Sequence, residues 1–278
     1  MIHFSDTEID AFLAEDVPYF DLTAELLDIS GKANISFAAR ENGVICGTEE
    51  AAKICKKLGL ETNIHIPSGG KSNSGDTILT ASGDAKAVLK AWKPSQNILE
   101  YASAVATQTA KMVEAIKAVS PHTHFATTRK TIPNTKKLAI KAVLCGGGYA
   151  HRLGLSESVL IFAQYAALAG MSLEECIQKA KQQTMEHKIA VEVKNKPDAI
   201  AAAKAGADIV QCDKLEIDEL RGTVAAVKSV DSRITIIATG GINLQNAASY
   251  SAAKPDIIVS SSVYYSKPFD VKVTIEPA

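Results

Sequence analysis

The sequence predicts an α/β protein in two parts: an α+β opening of about a hundred residues, then repeating βα units too few to close a standard eight-unit barrel. Three observations carry this. From about residue 123 short apolar runs alternate with helical patterns, the opening lacks that alternation, and one long amphipathic segment, NILEYASAVATQTAKMVEAIKAV, lies between them.

In chain order, a helix is expected after Ser5, then strands in ISFAAR and GVICG, a helix from Glu49 to Leu58, and strands in TNIHI and TILTASG. The long segment places Ile98, Ala102, Val105, Met112, Val113 and Ile116 on one helical face. Six strands follow, in HFATT, SVLIF, KIAVEV, ADIVQCD, RITIIATG and PDIIVSSS, separated by helices such as SLEECIQKAKQQT and PDAIAAAKAGA. The closing DVKVTIEP alternates like a strand and is expected to return to the first part, giving a first domain of 1–104 with 268–278 and a barrel domain of 105–267.

With 278 residues and 46% hydrophobic content, the chain can bury one large core or two modest ones. A formal net charge of −1 gives no general attraction to nucleic acid or anionic lipid, so anion binding must come from a local cluster. No apolar run reaches the roughly 18 residues a membrane span needs, and MIHFSDTEID lacks the parts of a signal peptide, so a cytoplasmic location is expected. The five cysteines are widely spaced with no CxxC pair, which fits buried, reduced thiols.

Several tempting motifs fail. SGGKS at 68–72 would need a glycine where His65 stands to form a phosphate loop, and SNSGDT reads as a turn. GxSxG, HExxH and a GxGxxG after a strand are missing, so serine hydrolase, zincin and dinucleotide chemistry drop out.

Barrel ligands meet the C-terminal ends of strands, and here those ends are polar. HFATT leads into Arg129 and Lys130; KIAVEV carries Glu192; ADIVQCD ends at Asp213; ITIIATGG ends at Thr239, Gly240 and Gly241; PDIIVSSS ends at Ser260, Ser261 and Ser262. Each has a plain alternative: a solvated pair for Arg129 and Lys130, a cap for the helix opening KLEIDEL at Asp213, ordinary turns for the small residues. Together they describe a basic wall, two acids able to hold a divalent cation and a late-strand phosphate cradle. Before His151 and Arg152 stand three glycines, CGGGYAHR, which serve as a helix C-cap or as a close backbone approach to a ligand. Such a pocket suits a phosphoribosyl donor, whose reacting carbon turns oxocarbenium-like as diphosphate leaves.

TRKTIP at 128–133, GGGYAHRLGL at 146–155, the strands with Glu192 and Asp213, and ATGGI at 238–242 resemble the quinolinate phosphoribosyltransferases, with ASAVAT at 102–107 and DLT at 21–23 matching earlier motifs. The resemblance runs over nearly the whole chain. It implies an N-terminal α/β sandwich, an incomplete α/β barrel of six to seven strands, and a homodimer whose shared site is completed by the neighbouring subunit. It also implies attack of a pyridine nitrogen on phosphoribosyl diphosphate with Mg2+, followed by decarboxylation, small anionic substrates, and no nucleic-acid or membrane partner. Carried over by position, Arg129, Lys130, His151 and Arg152 hold carboxylates or donor phosphates, Glu192 and Asp213 face the ribose and the metal-bound diphosphate, and Thr239 to Gly241 with Ser260 to Ser262 bind the 5′-phosphate.

Some positions depart from the pattern. Trp92-Lys93 stands for a Glu-Arg pair, with Lys93 placed to enter a neighbouring subunit's site; Ala150 replaces an Asn; Ser261 replaces a glycine. Phe162-Ala163-Gln164-Tyr165 stands for Lys-Asp-Asn-His, which removes a cation from an anion site. With the ending YYSKPFDVKVTIEP, these departures resemble the ModD branch, associated with molybdate transport genes. Two functions follow as expectations: a phosphoribosyltransferase whose acceptor differs from, or adds to, quinolinate, and a catalytically silent protein of molybdate transport that senses a phosphorylated metabolite or oxyanion.

Overall fold

The computed structural model describes residues 2–278. They divide into two compact units, one of residues up to Ala110 with Ile132–Gly147 and Tyr264–Ala278, the other of Lys111–Thr131 with Gly148–Val263.

The first unit carries a four-stranded antiparallel sheet in the order β13-β1-β5-β3, from β1 (Lys32–Ala39), β3 (Glu61–Ile64), β5 (Thr77–Asp84) and β13 (Val271–Pro277), with β2 (Gly43–Val44) and β4 (Lys71–Ser72) paired apart. Along β1 the alternation of the sequence becomes alternation of burial: Ala33, Ile35, Phe37 and Ala39 are buried while Lys32 and Asn34 are exposed. The closing strand does return to this sheet, antiparallel to β1, with Ile35 opposite Ile275.

Five helices accompany it. α1 (Asp6–Asp16) starts on a capping box between Ser5 and Glu8, and α2 (Leu22–Leu26) is capped by Asp21. α3 (Thr48–Lys57) carries Glu49 and Glu50 in its first turn and Lys56 and Lys57 in its last, matching the helix dipole. α4 (Ala85–Val119) begins well before Asn97 and contains Pro94. Proline normally ends a helix, but Val88, Ala91, Ser95, Ile98, Leu99 and Ala102 are all buried at helical spacing, so the apolar stripe runs across Pro94 and tertiary packing outweighs one missing N–H bond.

α5 (Lys136–Cys145) also belongs to this unit, although the sequence places it inside the barrel segment. Lys141, 2% exposed, draws it to α3 by ion pairs with Glu49 at 2.8 Å and Glu50 at 2.5 Å.

The second unit is a seven-stranded parallel sheet, the incomplete barrel, in the order β7-β6-β12-β11-β10-β9-β8. Its strands are β6 (His124–Thr127), β7 (Tyr149–Ala150), β8 (Val159–Ile161), β9 (Ile189–Val193), β10 (Ile209–Asp213), β11 (Thr235–Thr239) and β12 (Ile257–Ser260). Six match the apolar runs; β7, two residues long, carries no such run. Helices α6 (Ala163–Ala169), α7 (Leu173–Gln183), α8 (Lys196–Lys204), α9 (Ile217–Val230) and α10 (Ala247–Ser251) alternate with them. Ala126, Ile237 and Val259 pack together inside, flanked by Ile209 and Ile257. No ladder joins β7 to β8 among the described residues, so the barrel stays open between these edges.

Candidate active site

Strands covered on both faces bury nearly every side chain, so a polar residue survives only where it is hydrogen-bonded or reaches the rim. In β9 the single residue that is not fully buried is Glu192. The C-terminal rim encloses a cavity of about 620 Å³, lined by Arg129, Lys130, His151, Arg152, Glu192, Asp213, Thr239, Gly240, Gly241, Ser260, Ser261 and Ser262. Lys93 does not line it: it lies on α4 in the first unit, its Nζ 4.6 Å from the Trp92 ring centroid and donating to Gln96.

Register places the acids. Glu192 of β9 stands beside Gln211 of β10, and Asp213, two residues further along β10, stands beside Thr239 of β11. A spacing of two keeps Gln211 and Asp213 on one face of the strand. Gln211 donates from Nε2 to Glu192 at 2.8 Å, so its Oε1 is left to accept from His151 Nε2 at 2.9 Å, which fixes the proton on that imidazole nitrogen. Burial pushes the Glu192 carboxyl up and so does the charge of Asp213, while the Gln211 hydrogen bond pulls it down. Burial also pushes His151 down, against the pull of Gln211, and neighbouring Arg152 adds to the depression. His151 is therefore a neutral donor at this rim.

Arg152 is 7% exposed. Its Nη2 donates to the carbonyls of Ser158 at 3.0 Å and Leu155 at 3.5 Å, but its buried Nε and Nη1 have no hydrogen-bond partner. A buried guanidinium edge without an acceptor is costly, and an oxyanion from a ligand would satisfy it. Arg129, Lys130 and Lys214 are exposed, so the rim joins one dry cation to several wet ones.

Backbone strain gathers on the phosphate side. Lys214 has φ +59° and donates its N–H to Thr239 O, and Gly240 has φ +91°. A Cβ at Gly240 would lie 2.6 Å from Asp213 Oδ1 and 2.4 Å from Lys214 Cγ, so only glycine fits beside this acid. Ser260 Oγ donates to Ile242 O and accepts from the Ser262 N–H at 3.0 Å, which commits this hydroxyl to holding the loop. Asp213 is not a helix cap: α9 starts on Glu216. The glycine run is a helix terminus. Gly147 has φ +82°, and a Cβ on Gly146 would meet Ala106 O at 2.4 Å, whereas neither lines the cavity. The close approach is thus that of Gly146 to α4, not to a ligand, while Gly147 supplies the left-handed turn after the helix.

Gln211, Lys214 and Asn243 line the cavity without having been singled out in the sequence. Gln211 was findable as a polar side chain inside the apolar run ADIVQCD, one strand period before Asp213. Nothing local to Lys214 or Asn243 marked them. Among the described residues no cluster of three His, Cys, Asp or Glu could cage a metal. Two carboxylates with room for water and phosphate oxygens nevertheless match the way Mg2+ is held in phosphoryl sites.

Comparison with known proteins matches residues 21–103 to the quinolinate phosphoribosyl transferase N-terminal domain and residues 105–274 to the C-terminal domain of the same name. "Putative pyrophosphorylase ModD" of Pasteurella multocida is 36% identical, with 99% of each chain covered. "Probable nicotinate-nucleotide pyrophosphorylase (carboxylating)" of Methanothermobacter thermautotrophicus is 30% identical over 90% of this chain and 91% of its own length. In fold, the chain superposes on the structure of the nicotinate-nucleotide pyrophosphorylase from Francisella tularensis with a TM-score of 0.91 at 24% identity, covering 99% of this chain and 98% of that one.

Proposed function

The chain belongs to the quinolinate phosphoribosyltransferase family, and from that premise we propose that it transfers the phosphoribosyl group of phosphoribosyl diphosphate to the ring nitrogen of a heterocyclic carboxylic acid, releasing diphosphate. The observation that carries this reading is Arg152, whose buried Nε and Nη1 await an oxyanion in a cavity that also holds two acids and a glycine-serine rim.

The chemistry asks mainly for placement and charge neutralisation. The nitrogen lone pair attacks C1 of the ribose, the C1–O bond to diphosphate breaks, and its electron pair leaves on the diphosphate oxygen. Glu192 and Asp213 would hold Mg2+, which supplies charge neutralisation at the leaving diphosphate. Gln211 keeps Glu192 oriented and spends the His151 proton, so neither group drifts as charge develops. Exposed Arg129, Lys130 and Lys214 meet the donor's phosphates, and the Gly240, Gly241 and Ser261 backbone offers amides for the 5′-phosphate, with Ser262 holding the loop through Ser260.

Diphosphate release is the test, measured with phosphoribosyl diphosphate, Mg2+ and a panel of heterocyclic acids including quinolinate. Release that is lost in Arg152→Ala supports the reading. Donor binding without release for every acceptor would instead support the silent sensor, which Phe162 and Gln164, standing in the cavity where the family pattern has Lys and Asn, favour.

A further inference from the structure

We propose that Cys145 and Cys46 form a reversible disulfide on exposure to peroxide, Cys145 being the thiol that reacts first and Cys46 the one that resolves it. This modification site lies wholly within the first unit and is independent of the phosphoribosyl-transfer reading.

The two cysteines are far apart in sequence, and three sets of contacts bring them together. Lys141, one helical turn before Cys145 on α5, pairs with Glu49 and Glu50 in the first turn of α3, and Cys46 directly precedes Gly47, the N-cap of that helix. The Cys46 N–H donates to Ser103 Oγ at 3.0 Å and Ser103 Oγ donates back to Cys46 O at 3.3 Å, which pins this backbone to α4. Beside Cys145, Gly146 packs so closely on α4 that a Cβ there would lie 2.4 Å from Ala106 O and 2.6 Å from Thr109 Cβ. Ser103 and Ala106 are three residues apart and share a face of α4, so both cysteines lean on the same turn. There the Cys46 thiol hydrogen-bonds to the Cys145 sulfur.

Access sets the order of events. Cys46 is fully buried, whereas Cys145 is partly exposed and open to a small oxidant. The bond from Cys46 holds the Cys145 thiol below its ordinary value against burial, with the charge of Lys141 helping and those of Glu49 and Glu50 opposing. The same bond and burial push Cys46 up, so the shared proton stays on Cys46. Burial pushes Cys55 up to about 11 and Cys212 up to about 12, so neither competes as a thiolate.

Hydrogen peroxide is the oxidant, and the step balances. The Cys145 thiolate attacks one peroxide oxygen; the S–O bond forms, the O–O bond breaks, and the departing hydroxide leaves as water with the proton the thiol had released. The Cys46 sulfur then attacks Sγ of Cys145; the S–S bond forms, the S–O bond breaks, and hydroxide leaves with the Cys46 proton as a second water. Two thiols and one peroxide thus give one disulfide and two waters, and exchange with a small dithiol restores both thiols.

The test adds hydrogen peroxide to the full-length protein and maps the products by mass spectrometry of non-reduced peptides. A cross-link between Cys46 and Cys145 is expected, lost on treatment with dithiothreitol, while Cys176, the other partly exposed cysteine, joins neither. Cys46→Ser is expected to abolish the cross-link and leave a sulfenic acid on Cys145 that a 1,3-dione reagent traps. Should that variant fail to fold, the wild-type map decides by itself. A Cys145 that stays a thiol while Cys176 oxidises, a Cys145 oxidised beside an untouched Cys46, or a cross-link only between chains overturns the proposal.

Discussion

His151 and Glu192, carried beyond β7 and within β9, share one amide: Gln211 accepts from His151 Nε2 at 2.9 Å and donates to Glu192 at 2.8 Å. Removing the amide in Gln211→Leu takes a stabilising hydrogen bond from ionised Glu192, so its pKa rises, and an acceptor from protonated His151, so its pKa falls further. If Glu192 holds metal as proposed, the acid limb of the kcat/KM profile is expected to move to higher pH, with about a tenfold loss at its plateau. A pH–rate series on the variant checks this; an unmoved limb would detach Glu192 from metal binding.

Arg152→Ala is expected to lower kcat/KM by about a hundredfold or more, in the range seen when one partner of a dry charge contact is truncated. Its Nε and Nη1 have no partner in the protein to lose, but its Nη2 bonds to the Ser158 and Leu155 carbonyls go, so a folding cost of about 1–3 kcal/mol is expected beside the kinetic loss. Arg152→Lys should not rescue activity, since one ammonium cannot both hold the Ser158 and Leu155 carbonyls and offer the donors that Nε and Nη1 aim in separate directions. Kinetics paired with thermal melts separate these outcomes.

Lys141 sits between Glu49 and Glu50 and is 2% exposed. Lys141→Ala strands two carboxylates and is expected to cost about 3–5 kcal/mol in urea unfolding. Burial pushes the Glu49 carboxyl up, but its hydrogen bonds to Lys141 and Ser68 prevail and hold it at about 2, below its ordinary value of 4.5. A carboxyl depressed on folding stabilises above the unfolded value, and that contribution fades as pH drops through the folded one. Urea midpoints should therefore fall between about pH 4.5 and pH 2, and fall less in Glu49→Gln.

Tyr19, Phe20, Leu22, Leu26 and Leu27 are between 58% and 88% exposed and adjoin a cavity of about 610 Å³ that Trp92 and Leu89 help to line. Apolar surface of this kind marks a contact face, and a homodimer, which the family resemblance leads one to expect, would cover it. Sedimentation of the 29.4 kDa chain should give a dimer, and Phe20→Asp with Leu27→Asp a monomer.

The barrel was legible because its strands are continuous apolar runs whose last residues turn polar, a pattern imposed by burial on both faces. β13 was legible for the opposite reason, its alternation marking one covered face. What stayed hidden depends on distant packing. β7 is held by pairing Ala126 with Tyr149 and Thr127 with Ala150, which no propensity records, and α4 crosses Pro94 because its buried stripe is longer than the local rule allows. Within the cavity, charged residues at strand ends announced themselves, whereas Lys214 and Asn243 enter through loop geometry set by their neighbours.

The gap between β7 and β8 gives the cavity a seam spanned by the loop that carries Arg152, fastened through Ser158 and Leu155. A guest gripping that guanidinium would act as a clasp, tightening two strand edges that have no ladder between them. Slower amide exchange along residues 151–161 on ligand addition would record the clasp closing, and it would make occupancy readable as local stiffness even when turnover is blocked.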